Sequence, residues 1–440
     1  MTLGVAHSHA SEIARALASA LAWALGTWNP ARLARGVHVI ELPDRTVLIG
    51  VDAGATEVKA HQVTLLSSTS AEALRIGPAG ASCCYDRVSG FEPAPIEEQL
   101  AAQKGALERT FELPDKEREQ GERWVDAATS SILSVAAQTR CERALVGIGM
   151  PGLKSADGRG VVVMRNGPRI PDFAQRLEQR LTGGGLELVR PIGPLTSDGD
   201  NCGRGEETDR QGLFRDVENA YYIGGGTGVA EALKLGGELV PFDRARSWIP
   251  KAWEMTTAGG HSVEDALSTR GINAIYAADA GRPTPIGPEE YPEERALAGD
   301  VVADSVMKEA ALALAELVFE RLVTLRHGPS REHAQERAEP RPTSQAPFRG
   351  TVLERVVVGQ RLGRIFGEPR YAAVFRRRVE DALAHRLQRS SYARLRAAHL
   401  QGERLRPGFL RASRLRSAPA LGAASAALVQ PEASAGGARG

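Results

Sequence analysis

The pattern of apolar and polar positions alternates short apolar runs with longer stretches of helical period. Residues 39–66 have a strand-like pattern that is interrupted by a Pro-Asp turn. Residues 96–138 follow a helical period, with an apolar stripe that includes Trp124. Residues 144–150 (ALVGIGM) are typical of a buried strand. Strands that alternate with helices predict an α/β protein.

The second half of the chain continues this alternation. A helix is predicted over 300–325, a buried strand over 353–358, and a final packed helix over 418–429. The Arg-rich residues 376–416 are predicted to be helical, with a solvated face. In the first half, a helix over 172–181 is predicted to stop at three consecutive glycines.

Two glycine-bearing turns of similar build lie about 170 residues apart, a spacing that indicates an internal repeat. The first spans 50–56 (GVDAGAT) and the second 224–228 (GGGTG), and each joins two apolar stretches. Glycine allows backbone N–H groups to surround an anion without a Cβ in the way. The pattern suggests a duplicated domain that binds one polyphosphate. The alternative is a pair of ordinary hairpin turns, with Asp52 capping its own loop.

Composition narrows the possible classes of protein. A length of 440 residues fits two domains better than one. The apolar content of 42% and charged content of 25% are those of an ordinary globular protein. A net charge of +1 gives no general attraction to nucleic acid or to an anionic membrane, so neither is an expected partner.

The four cysteines form no C-x-x-C pair, which argues against a zinc or iron–sulfur site and fits the reducing cytoplasm. The Ala-rich residues 13–26 are too short and too small-sided for a membrane span, and an amphipathic helix is expected there.

Five motifs in order resemble those of the ROK sugar kinases, which belong to the hexokinase–actin–Hsp70 ATPase superfamily. They are GVDAGAT (50–56), GIGMPG (147–152), NGP (166–168), SDGDN (197–201) with Glu206, and GTG (226–228). The resemblance extends from about residue 45 to residue 430. It implies an α/β fold of two ribonuclease-H-like domains that flank a cleft.

The resemblance also implies the domain limits. We expect an N-terminal helical extension over 1–45 and a first ribonuclease-H-like domain over 46–195. A second such domain is expected over 196–430, with a Pro- and charge-rich insertion at 327–350. A disordered tail is expected over 431–440.

For the nucleotide, the resemblance implies ATP with Mg²⁺. Asp52 would hold the metal through water, since Mg²⁺ keeps much of its hydration. Gly359 is one glycine of the pair that usually accommodates adenosine in the family. Backbone N–H groups and hydroxyls of both turns would bind the phosphates, namely Gly54, Ala55, Thr56, Gly225, Gly226, Thr227 and Gly228.

Asp198 corresponds to the general base that accepts the proton of the sugar hydroxyl. Asp200 lies two positions on, and in an extended segment both carboxylates would face one side. A second carboxylate there would raise the pKa of Asp198. The alternative for Asp198 is an N-cap before the helix that contains Glu206.

For the sugar, Asn166 matches the asparagine that binds a ring hydroxyl, and Pro151 and Gly152 would shape the neighbouring wall. Glu264 resembles the acid of a Glu-x-x-x-Ser element, whereas Glu254 only lies near where a second acid is expected. For both glutamates a solvent-facing helical position is the alternative. His261 has no partner at metal-ligand spacing.

Several positions depart from the family pattern: Ala55, Glu57, Ser197 and Glu231. The Glu-x-Gly-His element and the Cys-rich zinc loop are also not intact. These departures affect the identity of the sugar and the catalytic efficiency more than the fold.

The sequence therefore predicts a cytoplasmic, Mg²⁺- and ATP-dependent kinase for a hexose or an amino sugar. A non-catalytic sugar or nucleotide sensor on the same fold is the main alternative. An ATPase activator with an interfacial iron–sulfur cluster is less consistent with the Pro-Gly and Asn-Gly-Pro motifs. The sugar, the hydroxyl attacked, polyphosphate as donor and assembly into a homodimer stay open.

Overall fold

The structure, a computed structural model, describes residues 42–65, 74–102, 111–242, 249–284, 286–328 and 348–429. The predicted N-terminal helix, nearly all of the 327–350 insertion and the tail at 431–440 lie outside these ranges. The chain divides into two compact units. Unit 1 contains the residues up to Asn201, Thr208–Arg210 and those from Pro419 onward, and unit 2 contains Cys202–Glu207 and Gln211–Ala418. The predicted domain limits stay predictions.

Unit 1 is built on a five-stranded sheet. Its strands are β1 (Thr46–Ala53), β2 (Glu57–Leu65), β3 (Leu74–Cys84), β4 (Arg143–Gly149) and β7 (Glu187–Leu188), in the order β3-β2-β1-β4-β7. The first three strands pair antiparallel, while β4 and β7 run parallel to β1. A small antiparallel pair is formed by β5 (Leu153–Lys154) and β6 (Val161–Val163). The helices of this half are α1 (Ile96–Ala102), α2 (Asp115–Thr139), α3 (Phe173–Gly183) and the start of α4 (Asp198–Thr208).

The core of unit 1 forms where the apolar stripe of α2 meets one face of the sheet. Trp124, Val125 and Ile132 of α2 are buried in one cluster with alternate residues of β1, such as Ile49 and Val51. Residues spaced three or four apart on a helix share a face, as do every second residues on a strand. The apolar residues of α2 and of β1 therefore each form one apolar face, and burial of these two faces against each other explains why α2 packs on the sheet.

Unit 2 has a five-stranded sheet of the same order, β10-β9-β8-β11-β14. Its strands are β8 (Ala220–Gly225), β9 (Val229–Leu235), β10 (Glu238–Val240), β11 (Arg355–Gly359) and β14 (Leu410–Ala412). A separate pair is β12 (Leu400–Gln401) with β13 (Arg404–Leu405). The helices are α5 (Val263–Leu267), α6 (Thr269–Asp279), α7 (Pro292–Leu297), α8 (Val301–His327), α9 (Gln360–Gly367), α10 (Arg377–Arg389) and α11 (Ala393–His399). The last helix, α12 (Ala418–Leu428), lies in unit 1 from Pro419 onward.

The two sheets match strand for strand. In each sheet, three neighbouring strands pair antiparallel, and the remaining two run parallel to the central strand. A glycine turn joins β1 to β2 in one sheet and β8 to β9 in the other. The predicted duplicated α/β fold is therefore confirmed. Within the described ranges, no helix combines enough length with enough apolar character to span a lipid bilayer.

Glycines in the sheet of unit 1 allow α12 to lie directly on it. A Cβ atom on Gly50 of β1 would lie 1.9 Å from the carbonyl oxygen of Ala420. One on Gly147 of β4 would lie 2.0 Å from that of Ala423. Any side chain here would separate the helix from the sheet. These glycines therefore serve helix packing.

The prediction for the Arg-rich stretch is confirmed only in part. Residues 377–389 and 393–399 are helical, but the chain then forms the β12–β13 hairpin and β14. Gly402 and Gly408 take positive φ angles of 62° and 82° at the turns between these strands. The backbone of β14 forms hydrogen bonds with β11. Such long-range pairing cannot be predicted from local helix propensity.

Candidate active site

Asp52 lies at the carboxyl end of β1, next to the end of β4. The two strands are parallel, and Asp52 is paired with Gly149. After β4 the chain returns to this edge through Thr196. The amide of Met150 donates to Thr196 O at 3.0 Å, and the amide of Thr196 donates to Ile148 O at 3.0 Å. This return brings the start of α4 to the edge that carries Asp52.

Asp198 is the first residue of α4 and is half-buried. Because the helix begins here, this segment is not extended, and the condition under which Asp200 would face the same side as Asp198 is not met. Residues two apart on a helix do not face each other, so Asp200 does not share a side with Asp198. The acid whose pKa responds to the charge of Asp198 is Asp52 on β1, a position that local sequence spacing does not indicate.

Asp52 and Asp198 interact electrostatically. The pKa of Asp52 is raised to about 7, first by burial and second by the negative charge of Asp198. Glu57 adds to this increase, and Lys59, which is paired with Asp52 across the β1–β2 ladder, opposes it. Within the described residues, no three His, Cys, Asp or Glu side chains cluster so that they could hold a metal ion. Aspartate carboxylates are oxygen donors of the kind that Mg²⁺ prefers.

Residues 54–56, the last part of the first glycine turn, connect β1 to β2. They contact a residue that the sequence analysis did not identify. The carbonyl oxygen of Thr56 accepts a hydrogen bond from the amide of Tyr85 at 3.3 Å. The Tyr85 ring stacks on Trp124 with centroids 4.0 Å apart and planes 6° apart. Tyr85 directly follows β3. A prediction of this strand from the sequence would have placed Tyr85 at this edge of the sheet.

Gly167, which follows the predicted sugar ligand Asn166, packs against Trp124 of the same aromatic pair. A Cβ atom on the adjacent Gly167 would lie 2.7 Å from the indole of Trp124. The Asn-Gly-Pro segment thus packs on Trp124 within unit 1.

The Pro151–Gly152 turn has a structural requirement of its own. Gly152 has a positive φ of 90°, and a Cβ there would lie 2.5 Å from Val163 O. The Lys154 ammonium donates to the carbonyl oxygens of Met150 and Gly152 at 2.7 and 2.6 Å. Lys154 therefore fixes the shape of this turn, and its role was missed because one lysine after a turn carries no pattern.

The second glycine turn follows β8 in unit 2. The amide of Gly226 donates to Gly228 O at 2.9 Å, so this N–H is used within the turn. Gly226 O accepts from the amide of Thr269 at 2.7 Å, which ties the turn to the start of α6. Gly225 is buried, and Thr227 lies at the tip between Gly226 and Gly228.

The two predicted sugar-binding glutamates have different surroundings. Glu264 lies on α5 and is 8% exposed, and its Oε1 is 3.1 Å from where a Cβ on Gly228 would stand. Glu254 accepts from the amide of Lys251 at 2.8 Å and caps its own helical turn. The structure thus brings Glu264 to the glycine turn and gives Glu254 a local structural role.

Gly359 ends β11 and pairs with Gly224. A Cβ on Gly359 would lie 2.0 Å from the Tyr222 hydroxyl oxygen, so Tyr222 fills the space beside this glycine. Gln360 follows with a positive φ of 56°, and its Oε1 lies 2.4 Å from where a Cβ on Gly226 would stand. The sequence indicated neither Tyr222 nor Gln360 as a neighbour of the second turn.

Glu231, which departs from the family pattern, belongs to the core of unit 2. Its carboxylate accepts hydrogen bonds from the Tyr221 hydroxyl at 2.7 Å, the Arg321 guanidinium at 2.6 Å and the amide of Ala252 at 2.9 Å. Glu231 therefore does not alter the glycine turn through its side chain.

Comparison with solved structures identifies the fold. A ROK-family glucokinase from Streptomyces griseus, in complex with glucose and AMPPNP, matches with a TM-score of 0.50 at 16% identity, covering 86% of this chain and 98% of that one. A ROK hexokinase from Thermus thermophilus matches with a TM-score of 0.48 at 16% identity, covering 87% and 97%. A ROK-family transcriptional regulator, homologous to the Escherichia coli MLC protein, matches with a TM-score of 0.48 at 14% identity, covering 88% and 79%.

No family model and no curated protein sequence matches this chain. The assignment of the fold rests on the Streptomyces griseus glucokinase, together with the sheet order repeated in both units. The protein therefore has the α/β fold that is seen in this ROK-family glucokinase.

Proposed function

We propose that the protein is an ATP-dependent sugar kinase that transfers the γ-phosphoryl group of ATP to a hydroxyl of a hexose or amino sugar. The observation that carries this proposal is the raised pKa of Asp52, at the carboxyl end of β1, to which burial and the negative charge of Asp198 contribute. The complex of the Streptomyces griseus glucokinase with glucose and AMPPNP gives support by analogy of fold.

Asp198 would act as the general base. Its carboxylate would take the proton of the sugar hydroxyl while the oxygen–phosphorus bond forms and the bond to ADP breaks. Asp198 is half-buried at a helix start, which fixes its backbone next to β4. A base positioned in this way contributes about 10²- to 10⁴-fold to the rate. Asn166 would orient the sugar, with Pro151 and Gly152 as part of the wall.

Asp52 fits a metal-holding role. Its pKa of about 7 shows that ionisation is unfavourable beside Asp198 without a compensating positive charge. Mg²⁺ bound there would neutralise charge on the transferred phosphoryl group. Gly54, Ala55 and Thr56 would bind phosphate oxygens from the turn that follows Asp52.

In unit 2, the second glycine turn is the candidate segment for binding the nucleotide. Gly225, Thr227 and Gly228 would bind phosphates, and Gly359 would lie beside the nucleoside. Glu264 would contact the sugar, since its carboxylate reaches the same turn. Gly226 would contribute by lacking a side chain, so that phosphate oxygens could approach its backbone, because its N–H is already used within the turn.

The test is a coupled assay of ADP formation with Mg²⁺–ATP and a panel of hexoses and amino sugars. At least one sugar should stimulate ADP release, and Asp198→Asn should lower that rate by about 10²-fold or more. Asp200→Asn is the matched control, because it removes a carboxylate from the same helix on a different side. Sugar-dependent turnover at the wild-type rate in Asp198→Asn would rule out Asp198 as the base.

A second candidate function is a non-catalytic sugar or nucleotide sensor. Two observations favour it: the internal use of the Gly226 N–H, and the Gln360 side chain that lies against this glycine. Both would reduce the donors available to phosphate. A sensor would be stabilised by its ligand through mass action without turning over. Thermal stabilisation by sugar or Mg²⁺–ATP, with no ADP formed on any sugar, would favour this function.

A further inference from the structure

The Tyr85 hydroxyl is a polar group without a hydrogen-bond partner at the edge that carries Asp52. The oxygen is buried, and no residue in the described part of the chain accepts from it or donates to it. Buried hydroxyl groups in native proteins nearly always have a partner, either a protein group or a bound water molecule. This oxygen is therefore expected to bind something that protein atoms alone do not supply.

The position of this hydroxyl is fixed by contacts on two sides. The ring stacks on Trp124, which is itself 2% exposed. The backbone amide of Tyr85 is bound to Thr56 O in the first glycine turn. A phenol held in this way has little freedom to turn toward another partner.

Asp52 is the charged group that acts most strongly on this phenol. Burial raises the pKa of Tyr85 well above its usual value, and Asp52 is the next cause, followed by Glu57 and Cys83. A phenol hydroxyl can donate a hydrogen bond toward negative charge. It can also accept a hydrogen bond from a water molecule that is bound to a cation.

Resting on the proposed function, we propose that the Tyr85 hydroxyl positions the Asp52 carboxyl group for the Mg²⁺–nucleotide complex by hydrogen bonding through a bound water molecule. Tyr85 acts through Asp52 and is therefore a positioning residue. Groups that orient a metal-holding carboxylate from behind typically change metal affinity by about 10- to 100-fold when they are removed. Removal of the hydroxyl alone should weaken Mg²⁺ binding and leave sugar binding unchanged.

The experiment compares wild type with Tyr85→Phe, which keeps the stacked ring and removes only the hydroxyl. Tyr392→Phe is the matched control, since Tyr392 is half-buried and stacks on His327 in unit 2. Thermal stability is followed as Mg²⁺ is added at a fixed concentration of AMPPNP. We expect the half-saturating Mg²⁺ concentration to rise by about 10-fold in Tyr85→Phe and to stay unchanged in Tyr392→Phe. The half-saturating concentration of the stimulating sugar should not change in either variant.

The outcomes separate this proposal from the proposed function. If wild type shows no Mg²⁺-dependent response to AMPPNP, nucleotide binding itself fails. If wild type responds and Tyr85→Phe has the same half-saturating Mg²⁺ concentration, the role of Tyr85 is overturned. If Tyr85→Phe does not fold, wild type labelled with 3-fluorotyrosine is used. One of its seven tyrosine resonances should then shift when Mg²⁺ is added to the AMPPNP complex, and the absence of any shift overturns the proposal.

Discussion

The negative charge of Asp198 is the largest charge effect on Asp52, and together with burial it raises the pKa of Asp52 to about 7. The two residues lie far apart in the sequence and meet because β1 and the segment after β4 end at the same edge of one sheet. Because Asp52 has a pKa of about 7, the charge of unit 1 changes with pH near neutrality.

Asp52→Asn should stabilise the protein at alkaline pH. Because the pKa of Asp52 is higher in the folded protein than its ordinary value of 3.8, ionisation of this group favours unfolding. The cost is absent below about pH 4, grows as the pH rises toward 7, and is complete above pH 7. Asn removes it, so the variant should gain about 2–4 kcal/mol in free energy of unfolding at pH 8 and much less at pH 5. Denaturant unfolding in the absence of Mg²⁺ measures both values.

Asp198→Asn is the control for this prediction. Loss of the neighbouring charge should lower the pKa of Asp52. The stability that is lost when Asp52 ionises should then be smaller, and less of it should be lost near neutral pH. Parallel stability profiles for wild type and Asp52→Asn between pH 5 and pH 8 would show that Asp52 ionises without cost and would contradict the prediction.

Gly50→Ala should destabilise unit 1. The added Cβ would stand 1.9 Å from Ala420 O, where neither β1 nor α12 offers a flexible side chain that could move away. Overpacking of this kind costs about 3 kcal/mol in free energy of unfolding. Gly183→Ala is the control, because a Cβ there meets nothing within 4 Å. Equal stability of the two variants would mean that α12 does not pack on β1 as described.

The sequence predicted the parts of the fold that depend on local pattern. The apolar runs around Gly50 and Gly224, each followed by a glycine turn, predicted two related sheets, and both sheets have the same strand order. Asp52 could be named because it ends such a run, and Asp198 because its motif resembles that of the ROK sugar kinases. The pattern could not predict their mutual effect, because that effect depends on strand pairing across the sheet.

Residues that act through tertiary contacts were not predictable in this way. Tyr85 follows a strand whose small residues gave no clear alternation, and its partner Trp124 lies on a helix. Gln360 has a left-handed backbone and touches a glycine turn far away in sequence. Glu231 departs from the family pattern in the strand after the second turn, and its charge is matched in the core by Arg321.

Arg321→Met should strongly destabilise unit 2. The Arg321 side chain is fully buried and pairs with two buried acids, Glu231 at 2.6 Å and Glu320. Its removal leaves both carboxylates without a counter-charge, which costs about 3–5 kcal/mol in free energy of unfolding. Denaturant unfolding measures this loss.

Arg386→Met is the matched control, because Arg386 and its partner Glu316 are 45% and 46% exposed. It should change the free energy of unfolding by less than about 1 kcal/mol. Addition of Glu231→Gln to Arg321→Met should recover part of the lost stability by removing one buried charge. A loss in Arg321→Met no larger than that in Arg386→Met would show that the buried acids are neutral without the arginine.

Glu264→Gln should separate sugar binding from stability. The Glu264 carboxylate is nearly buried and reaches the Gly228 end of the second turn, where the proposed function places a sugar contact. Exchange of a charged acceptor for a neutral amide should raise the KM for the sugar by about 10- to 100-fold with a much smaller change in the KM for ATP.

Glu254→Gln is the matched control, since Glu254 caps its own turn through the Lys251 amide. It should lower the free energy of unfolding by about 1 kcal/mol and leave the KM for the sugar unchanged. An increase of the sugar KM in Glu254→Gln but not in Glu264→Gln would reverse the two roles, because the sugar would then contact the capping acid.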